Sequence, residues 1–191
     1  DGGGIYVMNS NGESPTRIAD FGYSPSWSPD GQQILIGTEK IPQPSTRPTK
    51  SELWMINLNT RQRQRISEGD ALQPTFSPHQ KRIAYWSRPD RYGQREHIWT
   101  IPANGGQAVA VTDGSFTDLN PVWSPDGKYL YFSSNRGGST NIWRVPIDEN
   151  TGVTSGAPEA VTAIGANTSV LHLSLSANGR LAYSAQTENR N

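Results

Sequence analysis

The sequence predicts an all-β protein, a β-propeller built from four blade equivalents of four antiparallel strands. Three observations carry this: a motif repeated about every 48 residues, a second motif in step with it, and the lack of helical patterning. The first motif is Pro25-Ser26-Trp27-Ser28-Pro29-Asp30-Gly31. It returns as Pro74-Thr75-Phe76-Ser77-Pro78-His79-Gln80, as Pro121-Val122-Trp123-Ser124-Pro125-Asp126-Gly127, and in worn form as Leu173-Ser174-Leu175-Ser176-Ala177-Asn178-Gly179. Its anchors Trp27, Phe76, Trp123 and Leu175 are separated by 49, 47 and 52 residues. The second motif places Tyr6, Trp54, Trp99 and Trp143 in short apolar runs, with spacings of 48, 45 and 44. A shared period of this length is the mark of a repeat architecture. Nowhere do apolar residues hold an i, i+3, i+4, i+7 stripe for three turns.

The third copy shows the unit best. Trp123-Ser124 closes a first strand, and Pro125-Asp126-Gly127 is turn chemistry, with Pro fixing φ and Asp and Gly tolerating the bends that follow. Tyr129-Leu130-Tyr131-Phe132 is a β-rich second strand. Ser134-Asn135-Arg136-Gly137-Gly138 makes a loop, and Ile142-Trp143-Arg144-Val145 a third strand. Ala160-Val161-Thr162 is the fourth, matching Arg17-Ile18-Ala19, Arg65-Ile66-Ser67 and Val109-Ala110-Val111-Thr112. Four antiparallel strands per period make a propeller blade. A β-sandwich also has short, regular strands, but it does not require a repeated sequence.

Composition agrees. There are 19 Gly and 14 Pro, about one residue in six, against about one in eight in average usage. Lys+Arg and Asp+Glu are both 17, which argues against a nucleic-acid or anionic-membrane binder working by bulk charge. No apolar run exceeds four residues, so no segment of this chain inserts in a membrane as a helix. With no Cys, disulfides, thiolate metal sites and Cys nucleophiles are excluded.

Trp123-Ser124-Pro125-Asp126-Gly127-Lys128, then Ser134-Asn135-Arg136-Gly137-Gly138 and Asn141-Ile142-Trp143, resembles the TolB-type, WD-like propeller repeat of bacteria. The resemblance covers nearly the whole chain and is specific for the repeat rather than for function. It implies one of three settings: an interaction protein of the cell envelope, a sensor domain of a kinase or transcriptional regulator, or the gating propeller of a prolyl-oligopeptidase-like peptidase. It also implies a periplasmic or otherwise extracytoplasmic location, with a cytoplasmic one the alternative. The pattern is broken where His79-Gln80 replaces Asp-Gly and where Ala177-Asn178 replaces Pro-Asp.

The repeat phase divides the chain into an outer half-blade at 1–22, blades at 23–70, 71–116 and 117–166, and an inner half-blade at 167–191. Either the two halves close a four-bladed ring, or the chain is part of a larger ring that supplies the remaining blades. The second is expected.

Enzyme signatures are sparse: no Gly-x-Ser-x-Gly, no Gly-x-x-x-x-Gly-Lys and no His-Glu-x-x-His. No catalytic residue, metal site or cofactor is expected, and the chain reads as non-catalytic, or as the non-catalytic part of a larger enzyme. His79 reads as a solvated turn residue and His97 as a loop edge, while His172 enters the innermost strand of the last copy, where side chains face the central channel. Asp148-Glu149-Asn150-Thr151-Gly152 reads as a solvated hairpin. Trp54, Trp99 and Trp143 recur at one phase and read as packing between blades. Trp86 differs, because its equivalents are Gly37 and Ser133. It stands beside a segment that reads either as a plain solvated loop or, with Arg88, Arg91, Tyr92 and Arg95, as an aromatic and cationic cluster suited to stacking on an anionic or peptide ligand. Asp118, Asn120 and Arg136 offer polar groups near the channel mouth. Arg61, Arg63 and Arg65 alternate on an expected edge strand, where positive charge blocks edge pairing. The expected partner is a protein, a peptide or a small ligand on the loop-rich face, with no nucleic acid.

Overall fold

The computed structural model describes residues 4–40, 50–88, 95–165 and 168–187, and among these it contains sixteen strands and no helix. Three sheets are four-stranded antiparallel meanders. The first comprises β3 (Tyr23–Trp27), β4 (Gln33–Gly37), β5 (Leu53–Asn57) and β6 (Arg63–Arg65). The second comprises β7 (Leu72–Phe76), β8 (Arg82–Ser87), β9 (His97–Pro102) and β10 (Val109–Ala110). The third comprises β11 (Asp118–Trp123), β12 (Tyr129–Gly137), β13 (Ser139–Pro146) and β14 (Glu159–Ala160). They are flanked by two-stranded sheets, β1 (Ile5–Val7) with β2 (Thr16–Ala19), and β15 (Thr168–Leu175) with β16 (Leu181–Thr187). This is the all-β propeller arrangement that the repeat predicts. The two half-blades lie in separate sheets, each beside its neighbouring full blade.

Burial explains the strand sequences. Middle strands have blades on both faces, so β8 (Arg82-Ile83-Ala84-Tyr85-Trp86-Ser87) is buried at every position rather than at alternate ones. The outer strand β6 is exposed throughout, and its Arg63 and Arg65 sit on the sheet edge, where charge opposes pairing with another strand. The core is three clusters between sheets. Ile5, Ile18 and Ala19 meet Ile34, Ile36 and Ile56; Leu35 and Leu53 meet Phe76, Ile83 and Tyr85; Trp86 and Ile98 meet Trp123, Leu130 and Phe132. Each fully buried large apolar side chain stabilises this docking by about 1.5–3 kcal/mol. The anchors Phe76 and Trp123 are 6% and 5% exposed, whereas Trp27 is 52% exposed.

The hairpin between the first two strands of each copy is built alike. In the first, the Ser28 hydroxyl donates to Asp30 Oδ1 (2.6 Å) and accepts from the Gln33 amide (2.9 Å). In the third, Ser124 donates to Asp126 Oδ1 (2.6 Å) and accepts from the Tyr129 amide (2.9 Å). Gly31 and Gly127 take φ of 69° and 71°, a region that costs a side chain about 1–2 kcal/mol. The second hairpin has no such Asp. Ser77 still accepts from the amides of Lys81 and Arg82, but Gln80 occupies the glycine position at φ 55°. The missing carboxylate comes from the third blade: Glu149 Oε1 accepts from the His79 amide (3.0 Å), and Oε2 lies 2.7 Å from His79 Nδ1. Glu149 is 8% exposed, so the hairpin at 148–152 is an inter-blade clamp rather than the freely solvated turn expected.

Loops between second and third strands meet the fourth-to-first linkers at one end of the sheets. Asp70 accepts from the amides of Ser51 and Arg88, the Arg95 amide donates to the Gly114 carbonyl, and Asn135 exchanges bonds with Thr117. The opposite end carries the hairpins of Ser77–Gln80 and 148–152.

Candidate functional site

The first strands of all four copies surround the axis, and a cavity of about 440 Å³ lies among them. Ser24, Gln73, Asn120 and His172 line it, one from each copy and each three residues before its anchor. Each first strand is irregular here: the pairing register shifts between Tyr23 and Ser26, Leu72 and Thr75, Leu119 and Val122, and Val170 and His172. A bulge re-aims a side chain out of the regular alternation. Ser24, Gln73 and Asn120 have φ of 52°, 46° and 55°, in the left-handed region that non-glycine residues rarely adopt. Pro25, Pro74 and Pro121 follow them and also line the cavity. Strained backbone at one phase in three blades marks a position under constraint.

Of the residues that the sequence singles out, Asn120 and His172 come together in this channel. Ser24 and Gln73 escaped notice, although their signal is the repeat phase that they share with Asn120. Trp86 is not a surface platform. It is 1% exposed in the core between the second and third blades, and its indole N–H donates to Gln73 Oε1 at 2.6 Å. Trp86 pairs with Leu72 at the register position where Gly37 pairs with Tyr23 and Ser133 with Leu119.

Asp118 and Arg136 lie near the mouth but are engaged with each other. Arg136 Nη2 reaches both oxygens of the fully buried Asp118 at 3.0 Å, and Nε donates to Ser134 Oγ at 2.9 Å. The guanidinium stands 5.2–5.4 Å from the ring centres of Phe116, Phe132 and Trp143. Desolvated cation–π contacts of this kind contribute about 2 kcal/mol, so the pair anchors the loop face rather than offering itself to a ligand. Arg88 is exposed at a distance of 3.9 Å from Glu96, and Arg95 is an exposed loop residue. Arg91 and Tyr92 lie outside the described residues.

A larger groove of about 780 Å³ runs between the first and second blades, past Arg65, Asp70, Tyr85, Arg88 and Trp99. Arg65 is paired with Glu52 at 3.1 Å and Asp70 with the amides of Ser51 and Arg88, whereas the buried Trp99 indole N–H has no partner among the described residues. Burial pushes the Tyr85 phenol up to about 12, so it stays protonated.

The His79–Glu149 pair has no hydrolytic geometry, because Ser77 bonds to the carboxylate and not to the imidazole. Burial pushes the Glu149 carboxyl up, but hydrogen bonds from Ser77 and His79 outweigh it and hold the group below its usual range. Among the described residues no three His, Asp or Glu are grouped to hold a metal, and no helix is long and apolar enough to cross a membrane.

Comparison with known proteins places this geometry. The sequence model of the TolB beta propeller domain matches residues 37–191. Dipeptidyl-peptidase 5 of Porphyromonas gingivalis is 30% identical over 143 residues, covering 68% of this chain and 19% of the peptidase. The crystal structure of TolB from Acinetobacter baumannii superposes with a TM-score of 0.74 at 23% identity, over 97% of this chain and 44% of that one. A puromycin-hydrolyzing peptidase of Mycobacterium tuberculosis superposes with a TM-score of 0.68 at 16% identity, over 95% of this chain and 30% of that one. The chain therefore spans less than half the length of each of these proteins.

Proposed function

The chain belongs to the TolB beta-propeller family, and on that premise we propose that it is a non-catalytic scaffold that binds a protein or peptide on its loop-rich face, at the mouth of the axial channel. The observation that carries this reading is the convergence of Ser24, Gln73, Asn120 and His172, one from each blade equivalent, on one cavity. Equivalent side chains on a rigid scaffold are how propellers present a binding surface. Membership of a larger ring goes with this reading, and the partial coverage of the relatives supports it. An extracytoplasmic, periplasmic setting goes with this reading. Lysate of the source cell is passed over immobilised chain carrying either Asn120→Trp, which fills the channel mouth, or Lys128→Glu on the opposite face. A partner lost with the first and kept with the second is the expected result; loss with neither overturns the placement.

A second reading, favoured by the 30% identity to a dipeptidyl-peptidase, makes this the propeller of a larger peptidase that governs access to a separate catalytic domain. Under both readings the chain alone leaves fluorogenic dipeptide substrates uncleaved. Cleavage abolished by a point substitution within it would overturn both.

A further inference from the structure

Trp86 is absent from the other blades, and its one polar group is spent on a channel residue. An indole N–H only donates, so the oxygen of the Gln73 carboxamide faces Trp86, at 2.6 Å, and its NH2 is turned away. Among the described residues that NH2 has no protein partner. Gln73 is held from both ends, since its backbone is fixed at φ 46° within the bulge and its amide is fixed by a 1% exposed tryptophan. In the other two blades Gly37 and Ser133 stand where Trp86 does, and neither supplies an indole donor.

The rest of the lining says what such a donor meets. It contains no Lys, Arg, Asp or Glu and no Trp, Tyr or Phe. A charged ligand finds no counter-ion there, and a sugar ring finds no aromatic platform. Instead Pro25, Pro74, Pro121, Val122, Leu173 and Leu175 alternate with Ser, Thr, Asn, Gln and His. Apolar and hydrogen-bonding groups interleaved in this way match an extended peptide, whose backbone carbonyls need donors and whose side chains need apolar contact. We propose that Trp86 is a positioning residue that holds the Gln73 NH2 toward the axial channel, where it donates to a backbone carbonyl of an uncharged peptide segment. This rests on the binding-scaffold reading above and names the ligand class of that site.

The probe is acetyl-tetraalanine amide, titrated into the isotopically labelled chain while the Gln73 side-chain amide and the Trp86 indole N–H are followed by NMR. In the wild type the Gln73 amide pair shifts on titration. A hydrogen bond of this kind contributes about 1 kcal/mol, so Trp86→Phe weakens binding about fivefold. Because Trp86→Phe also disturbs the core, Gln73→Glu is the decisive variant. It keeps an oxygen for Trp86 but removes the NH2, so peptide binding weakens at least about fivefold while the indole resonance stays in place. Wild-type binding by Gln73→Glu overturns the donor role. Shifts confined to the loop face around Arg95 and Phe116 overturn the channel site while leaving the scaffold reading intact. Tighter binding of cellotetraose than of the peptide overturns the ligand class.

Discussion

The hairpins at Ser28–Gly31 and Ser124–Gly127 and the one at Ser77–Gln80 have the same serine-centred hydrogen bonds but obtain their carboxylate differently. In the first and third, Asp30 and Asp126 come from the turn itself, two residues after the serine. In the second, Glu149 reaches across from a sequence separation of 70 residues. The difference turns a local interaction into a tertiary one. The serine–aspartate bonds of the first and third hairpins form within the turn, whereas the carboxylate of the second arrives when the third blade docks. It also explains why His79-Gln80 is tolerated where Asp-Gly stands elsewhere, since the neighbour supplies what the turn lacks.

The strongest way to break this contrast is to undock the clamp. Gly152 has φ 74°, and a Cβ there would overlap Thr100 Oγ1 and the buried Arg82 side chain. Gly152→Ala is expected to cost about 3 kcal/mol or more, read as a fall in the urea midpoint, with the Gln80 amide losing hydrogen-exchange protection. Glu149→Ala removes the shared carboxylate but leaves the hairpin in place, and is expected to cost about 2 kcal/mol. Asp126→Asn, which keeps the acceptor just as Asn178 does for Ser176 at 2.6 Å, stays within about 0.5 kcal/mol of wild type.

Acid sharpens the same contrast. The folded value of Glu149 is depressed below its ordinary 4.5 by Ser77 and His79, which outweigh burial. Its contribution is therefore present above that ordinary value and is lost as pH falls through the depressed one. Asp30 and Asp126, depressed chiefly by their serines, respond in the same direction. Glu149→Ala should flatten the stability-versus-pH slope between about pH 5 and 3, and an unchanged slope would refute the linkage. One modest effect has the opposite sign. Gln80→Gly relieves a side chain at φ 55° and is expected to stabilise by about 0.5–1 kcal/mol, measured as a higher melting temperature.

The blades were legible in the sequence because each reports itself several times over: anchor, turn and third-strand aromatic all keep one period. Even the second turn announced itself as a departure. Its remedy was not legible, since nothing near His79 points to Glu149, and an acidic hairpin reads as solvated until a neighbour covers it. Trp86 misled for the opposite reason. Its mismatch with Gly37 and Ser133 set it apart from the packing common to the blades, yet it is a core residue between the second and third blades. The channel was half visible, with Asn120 and His172 noticed for their chemistry, and Ser24 and Gln73 recoverable only by applying the repeat phase to every polar residue.

That shared phase has a consequence for how recognition along the axis can change. Four separately encoded segments each contribute one letter at a fixed offset from their anchor, so the channel is written in a positional alphabet. A single codon change rewrites one letter without disturbing the others, and duplication of a blade lengthens the word. Under the proposed binding role, ligand preference drifts by spelling rather than by refolding.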